Sequence, residues 1–445
     1  MASSSSLLQL PDYSPSVPAP SYSHEPSGDE QRLEHTPSTR LAGSQPTGTF
    51  IKKSGKTTII LNDQENGASI PSYGRHGCIN GALLFEQHEL ITEVEFEVGG
   101  KIETTLSDSG GRAIKLLHIR QVLWSRPKHP KPTDICPDQL PLDFTLPTTF
   151  REGDSTQPLP PSFNSFLHGT PTLFVNVGYH LRIRVTRLVS SKVGRWTKTK
   201  HILIPFSYYP RTRPSQPIYP SPGFFSSIKT SPEEWFQATS TLKTRNASSS
   251  LDPISCTLFI PAGRVYGLTD SIPFHLQLSS GVSSLRELFS SSGAADSLDR
   301  VLSSDSRTTA STSSWTSAKI QPALKPVVRV YLMRQVTVEV RGEKSWRNSV
   351  IGEGTLTPVP PLMSSCYDST SCMEHLDWEG TLKCDDTVKI GGFVIGNIQV
   401  KEFVVMNIAP PASSKSPFVS MQTTIPIRIV TDSYGELPAS YGTAV

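Results

Sequence analysis

Arg182, Arg184 and Arg187 are the side chains with the plainest chemical reach in this chain. A guanidinium forks a carboxylate or a phosphate through two parallel N–H bonds, so three arginines this close could hold an acidic or phosphorylated peptide tail. A solvated strand face is the plainer account of the same residues. Metal chemistry has one set of candidates, Cys366, Cys372, Cys384 and the nearby His375. Their spacing lacks the paired C-x2-C of a zinc finger, so they read as ordinary reduced thiols, with no metal and no cofactor expected. Hydrolytic and nucleotide motifs are missing: the chain has no H-E-x-x-H, no G-x-S-x-G and no P-loop. Gly391, Gly392 and Gly396 fall between strands rather than opening a helix, which disqualifies them as a dinucleotide fingerprint. No catalytic residue is expected, and the reading is non-enzymatic.

Bulk properties narrow the partners. The net charge of +3 on 445 residues exerts no strong pull on nucleic acid or anionic lipid. Charged residues at 18% and apolar ones at 36% fall short of globular averages because of tracts rich in Ser, Thr and Pro. The first residues, MASSSSLLQL, show neither a basic n-region nor an apolar run of signal-peptide length. No run approaches the roughly 20 apolar residues of a spanning helix. The expectation is a soluble, cytoplasmic protein.

The elements that would position these side chains are strands. Val265–Leu278 turns at Gly267 and Thr269–Ser271, then alternates Ile272, Phe274, Leu276 and Leu278 with Pro273, His275 and Gln277. That period of two marks a half-buried strand. Val94, Phe96 and Val98 alternate with Glu93, Glu95 and Glu97, after which Gly99-Gly100 is expected to turn the chain into Lys101–Leu106. Leu181, Ile183 and Val185 oppose Arg182, Arg184 and Thr186, and Trp196–Tyr209 should pair with them across the 190–195 turn. The longest alternation runs from Val328 to Val340, broken once by Arg334. Short strands with turn punctuation and no long helical window predict an all-β sandwich or barrel.

The expected layout has five parts: a disordered tail (1–50), a first β-sandwich (51–209), a linker (210–250), a second β-sandwich (251–432) and a tail (433–445). Inside the linker, Ser231-Pro232-Glu233-Glu234 predicts a short helix over 232–238. A second helix is expected after Ser284, with Glu287 at the capping-box position. A Ser/Thr-rich insertion occupies 290–318. Short aromatic motifs mark the tails: Leu10-Pro11-Asp12-Tyr13, Ala19-Pro20-Ser21-Tyr22 and Pro438-Ala439-Ser440-Tyr441.

Four stretches in this order resemble a fungal arrestin-like (α-arrestin) protein over roughly residues 55–435: YGRHGCINGALLF (73–85), LDFTLPTTF with PLPPSF (142–163), HILIPFSYYPRTRP (201–214) and CTLFIPAGRVYGLTDSIPFHLQL (256–278). The resemblance implies two tandem immunoglobulin-like β-sandwich domains and an adaptor function. Such adaptors dock on cytoplasmic tails of membrane transporters or receptors. They recruit a HECT-type ubiquitin ligase, whose WW domains read Pro-Pro-x-Tyr, and they visit the plasma membrane or endosomes as peripheral proteins. A proline-stiffened peptide loses little entropy on binding, and its Tyr fills an aromatic groove. This sequence departs from the motif. Leu10, Pro11 and Tyr13 form a Leu-Pro-x-Tyr variant, while Pro20 with Tyr22 and Pro438 with Tyr441 are weaker versions. Pro160-Pro161-Ser162-Phe163 carries Phe where Tyr is required and reads as a turn.

Overall fold

A computed structural model describes residues 47–127, 131, 134–191, 194–218, 228–246, 249–290, 327–359, 373–410 and 416–434. Nearly all of them are strand or the turns between strands, an all-β architecture of curled, stacked sheets. The first sheet holds β1 (Gly48–Ser54), β2 (Thr57–Gln64), β4 (Cys78–Phe85) and β7 (Gln139–Thr145), in the order β1-β2-β4-β7. It packs on a six-stranded sheet built from β3 (Ser72–Tyr73), β12 (Gly194–Tyr208), β11 (Leu173–Ser191), β5 (Ile91–Leu106) and β6 (Gly110–Ser125). In that sheet β10 (Phe163–Leu167) pairs with β11. The alternation decides the faces. Val94, Phe96, Val98, Leu181, Ile183 and Val185 are buried against Ile59, Leu61, Ile79 and Leu83 of the facing sheet. A small hairpin, β8 (Thr149–Glu152) with β9 (Ser155–Pro158), completes this half.

The remaining strands form one ten-stranded sheet that folds over itself. One arm runs β13 (Trp235–Leu242), β14 (Ile254–Pro261), β16 (Ile272–Gly281), β19 (Met373–Leu382) and β18 (Glu343–Val359). The other runs β18, β17 (Val328–Val340), β21 (Ile398–Ile408), β22 (Met421–Val430) and β15 (Val265–Gly267), with β20 (Phe393–Ile395) beside β21. β18 belongs to both arms: residues 343–353 pair with β17 and 354–359 with β19. Gly352 sits at the crossover because a Cβ there would lie 2.0 Å from the Lys383 carbonyl oxygen. The core between the arms holds Ile272, Phe274, Leu276 and Leu278, as the alternation required. Helix α1 (Val282–Ser290) closes one end with Leu285, Leu288 and Phe289, whose ring lies 6.0 Å from that of Trp378.

The two halves share a core. Val336, Val338 and Val340 of β17, with Ile395, Ile398 and Val400, bury themselves in the first half's cluster rather than in their own sheet's. Phe163 meets Phe393 edge-on at 5.6 Å. Around this apolar contact run polar ties. Asn397 donates to Thr104 Oγ1 (3.4 Å) and Gly396 N–H to Gln157 Oε1 (3.3 Å), while in the connecting segment Thr212 N–H donates to Thr431 Oγ1 (2.6 Å) and Arg211 pairs with Asp432 (3.0 Å). The PRTRP segment is thus held against the end of β22.

Several expectations need correction. The chain becomes strand at Gly48, not after residue 50, because Phe50 and Ile51 pair with Leu61 and Ile60 across the Gly55 turn. Gly99-Gly100 is no turn; β5 runs straight through it. A Cβ at Gly99 would sit 2.4 Å from the His180 ring and one at Gly100 2.7 Å from Tyr179, so the pair serves space rather than direction. The helix expected over 232–238 shrinks to a 3-10 turn at Pro232–Glu234. Ser231 makes no side-chain cap, and Trp235 onward pairs with β14, so strand pairing overrides the capping signal and carries the expected linker into the sheet. Helix α1 starts at Val282, two residues before Ser284, whose buried hydroxyl accepts from Asp252 N–H instead (2.9 Å). The helix runs through Ser290, the first residue assigned to the 290–318 insertion. Residues 291–326 lie outside the described ones.

Candidate functional site

The arginines of β11 land on the outer face of the six-stranded sheet, and the register chooses their partners. Arg182 stands opposite Glu97 and Arg184 opposite Glu95, because β11 and β5 pair antiparallel without a slip over that stretch. Arg182 Nη1 reaches both Glu97 oxygens, at 3.2 and 3.4 Å, and Arg184 pairs with Glu95. Both glutamates are nearly buried, Glu95 at 8% and Glu97 at 6% exposure. Carboxylates so placed need cations, and the arginines supply them.

Arg187 does something else. Its side chain donates to the backbone carbonyls of Glu86 (3.0 Å) and Lys56 (3.1 Å) and to Thr57 Oγ1 (3.2 Å), clamping β11 to the neighbouring sheet. Burial lowers its pKa. The three arginines are therefore not one anion cradle. A ligand phosphate on this face would have to displace Glu95 or Glu97.

The edge strand β6 adds cations to this face that the sequence reading did not single out. Arg120 lies at 4.0 Å from Glu95 and 3.8 Å from Glu97, and His118 Nδ1 lies 3.5 Å from Glu97. Lys115 stands opposite Lys101, which is already paired with Glu103 at 2.6 Å. The available signal was the spacing Lys115, His118, Arg120 in an otherwise apolar run. Beside them the His180 ring rests on Gly99, and burial lowers its pKa.

A second charged pair is buried deeper. Arg334, the break in the β17 alternation, stands opposite Glu402 of β21, which breaks a matching alternation of Val400, Val404 and Met406. Arg334 Nη2 reaches Glu402 at 2.9 Å and the Ile390 carbonyl at 2.6 Å. Burial pushes the Glu402 carboxyl up, while Arg334 and the N–H groups of Ile429 and Gly392 pull it back.

Leu10, Pro11, Tyr13, Pro20, Tyr22, Pro438 and Tyr441 lie outside the described residues. Pro160 and Pro161 are buried, and Pro160 accepts a 2.6 Å bond from Tyr179 Oη, which leaves no free peptide for an aromatic groove. Cys366 and Cys372 also lie outside the described residues. Among those described, no His, Cys, Asp and Glu cluster could hold a metal. No described helix is long and apolar enough to cross a membrane. Neither a scan of protein-family models nor a search of the curated proteins finds a match for this chain.

Proposed function

We infer that this protein is a non-enzymatic arrestin-like adaptor, built on two tandem immunoglobulin-like β-sandwich domains, that links membrane transporters or receptors to a ubiquitin ligase and the endocytic machinery. The observation that carries the reading is the order of its parts. Stacked sheets from the earlier and later parts of the chain share an apolar cluster, and the PRTRP segment that connects them in sequence is bonded to Thr431 and Asp432 at the end of β22. A scaffold of this kind presents edges and loops and has no intrinsic chemistry, so recognition falls to surfaces and tails. HECT-type WW domains are the proposed readers of Pro11-Asp12-Tyr13, Pro20-Ser21-Tyr22 and Pro438–Tyr441. Cytoplasmic tails of membrane proteins are the proposed cargo, and the site of action is the cytoplasmic face of the plasma membrane or endosomes.

Each tetrapeptide lacks one proline of the pair, the first in Leu10–Tyr13 and Ala19–Tyr22 and the second in Pro438–Tyr441, which favours one alternative, an arrestin-like trafficking or signalling scaffold that uses no ligase. A peptide of residues 6–26 on a WW-domain array separates the two. Binding that is lost with Tyr13→Ala supports the adaptor; binding no better than the variant's supports the scaffold.

A further inference from the structure

We propose that the free edge of β6 takes up an acidic, extended segment of a partner protein as an added strand. This does not rest on the adaptor reading; it follows from the edge itself. β6 pairs with β5 on one side, and among the described residues no strand pairs with its other side. An unpaired edge is a row of backbone donors and acceptors that a second chain can complete. Register shifts at Val94/Glu95 and Gly100/Lys101 leave Leu123 and Leu116 as unpaired bulge residues, which bracket a regular run from Leu117 to Val122. Six residues is an ordinary strand length, so the run is long enough to pair.

The side chains on that run specify the guest. Ile119 and Val122 are exposed, at 36% and 50%. They lie on opposite faces, Ile119 opposite Val98 and Val122 opposite Glu95, so Ile119 offers the apolar cross-strand contact, worth a few tenths of a kcal/mol up to about 1 kcal/mol. His118 and Arg120 point to the outer face, and both are half exposed. The glutamates they approach are already matched by Arg182 and Arg184, so the charge of Arg120 is surplus. Lys115, with Lys101 opposite, adds a cation without a carboxylate of its own. An incoming strand that alternates carboxylates with β-branched residues would put its acids beside His118 and Arg120 and its apolar side chains beside Ile119. A second copy of this chain fits worse, since it would lay the same cationic row along itself.

The test uses the full chain and two labelled ten-residue peptides, one alternating Glu with Val and one alternating Lys with Val. Fluorescence anisotropy should register binding of the acidic peptide alone, weakening as salt rises past the roughly 8 Å screening length of physiological buffer. Hydrogen exchange of the complex should slow at 117–122. The double reversal Lys115→Glu/Arg120→Glu should weaken binding on the order of tenfold. Ile119→Glu, at an exposed position opposite Val98 and on the other face from the buried glutamates, should weaken it too and covers the case of a misfolded double variant. Equal binding of both peptides, or protection confined to another edge such as Gly48–Ser54, overturns the proposal. So does a parent that binds neither peptide while the double reversal self-associates; the cations would then only guard the edge against aggregation.

Discussion

Replacing Arg334 by Met removes the cation from a carboxylate that is 2% exposed. Arg334 makes two bonds to Glu402, at 2.9 and 3.1 Å, and one to the Ile390 carbonyl. Breaking one partner of such a pair strands the other in a poor dielectric and costs about 3–5 kcal/mol. At a urea slope of about 3 kcal/mol/M the unfolding midpoint falls by roughly 1–1.7 M. The pH dependence has a definite sign. Burial already lifts the Glu402 carboxyl above its ordinary value, and loss of Arg334 lifts it further. A carboxyl whose folded pKa exceeds its unfolded one holds extra protons in the folded state. The variant's deficit is therefore smallest below about pH 4, the ordinary carboxyl range, and grows as pH climbs through the folded value of Glu402. Arg334→Met/Glu402→Leu should recover most of the loss, because an apolar pair needs no compensation. Urea melts monitored by tryptophan fluorescence at pH 4, 5.5 and 7 measure all of this. A single variant within about 0.5 kcal/mol of the parent at pH 7, or a deficit that shrinks with rising pH, refutes the reasoning.

Other outcomes follow from the same geometry. Gly352→Ala drives a methyl toward the Lys383 carbonyl, and thermal unfolding should report a loss of about 1–3 kcal/mol or more. Phe393→Ala removes the edge-on partner of Phe163 and part of the shared core; calorimetry should register about 3–5 kcal/mol and loosened coupling between the halves. Burial raises Cys136 to about 11, Cys256 to about 12 and Cys384 to about 11. Thiolate fractions at pH 8 are then on the order of one in a thousand or less, and site-resolved mass spectrometry after iodoacetamide should find these three labelled only once the chain unfolds.

Strand faces were legible where a period of two persists. In the alternations at Glu93–Val98, Leu181–Thr186, Ile272–Leu278 and Val328–Val340 the apolar set is buried as read, but the opposite face is not all in water: Glu95, Glu97, His275 and Thr337 are buried as well. Local signals misled where tertiary contact overrides them. Gly99-Gly100 looks like a turn but clears space for His180 and Tyr179, and Ser231-Pro232 looks like a helix start but precedes a paired strand. Long-range pairing was illegible: nothing local tells β15 to run parallel to β22, or β18 to serve two arms. The shared core was hidden too, since Val336–Val340 alternate the same way whichever sheet covers them. In the candidate site, Arg182 and Arg184 were visible, yet their glutamate partners depend on a register that no single strand encodes.

The claim that this chain couples membrane proteins to a ubiquitin ligase is met most directly by quantitative mass spectrometry of the tagged full chain recovered from cells with and without HECT ligase activity. The account predicts a HECT ligase and at least one membrane transporter or receptor in the recovered material. It also predicts ubiquitin on that membrane protein only when the ligase is active, and loss of the ligase with Tyr13→Ala/Tyr22→Ala/Tyr441→Ala. Recovery that contains no ligase, or a ligase unaffected by the triple substitution, contradicts it.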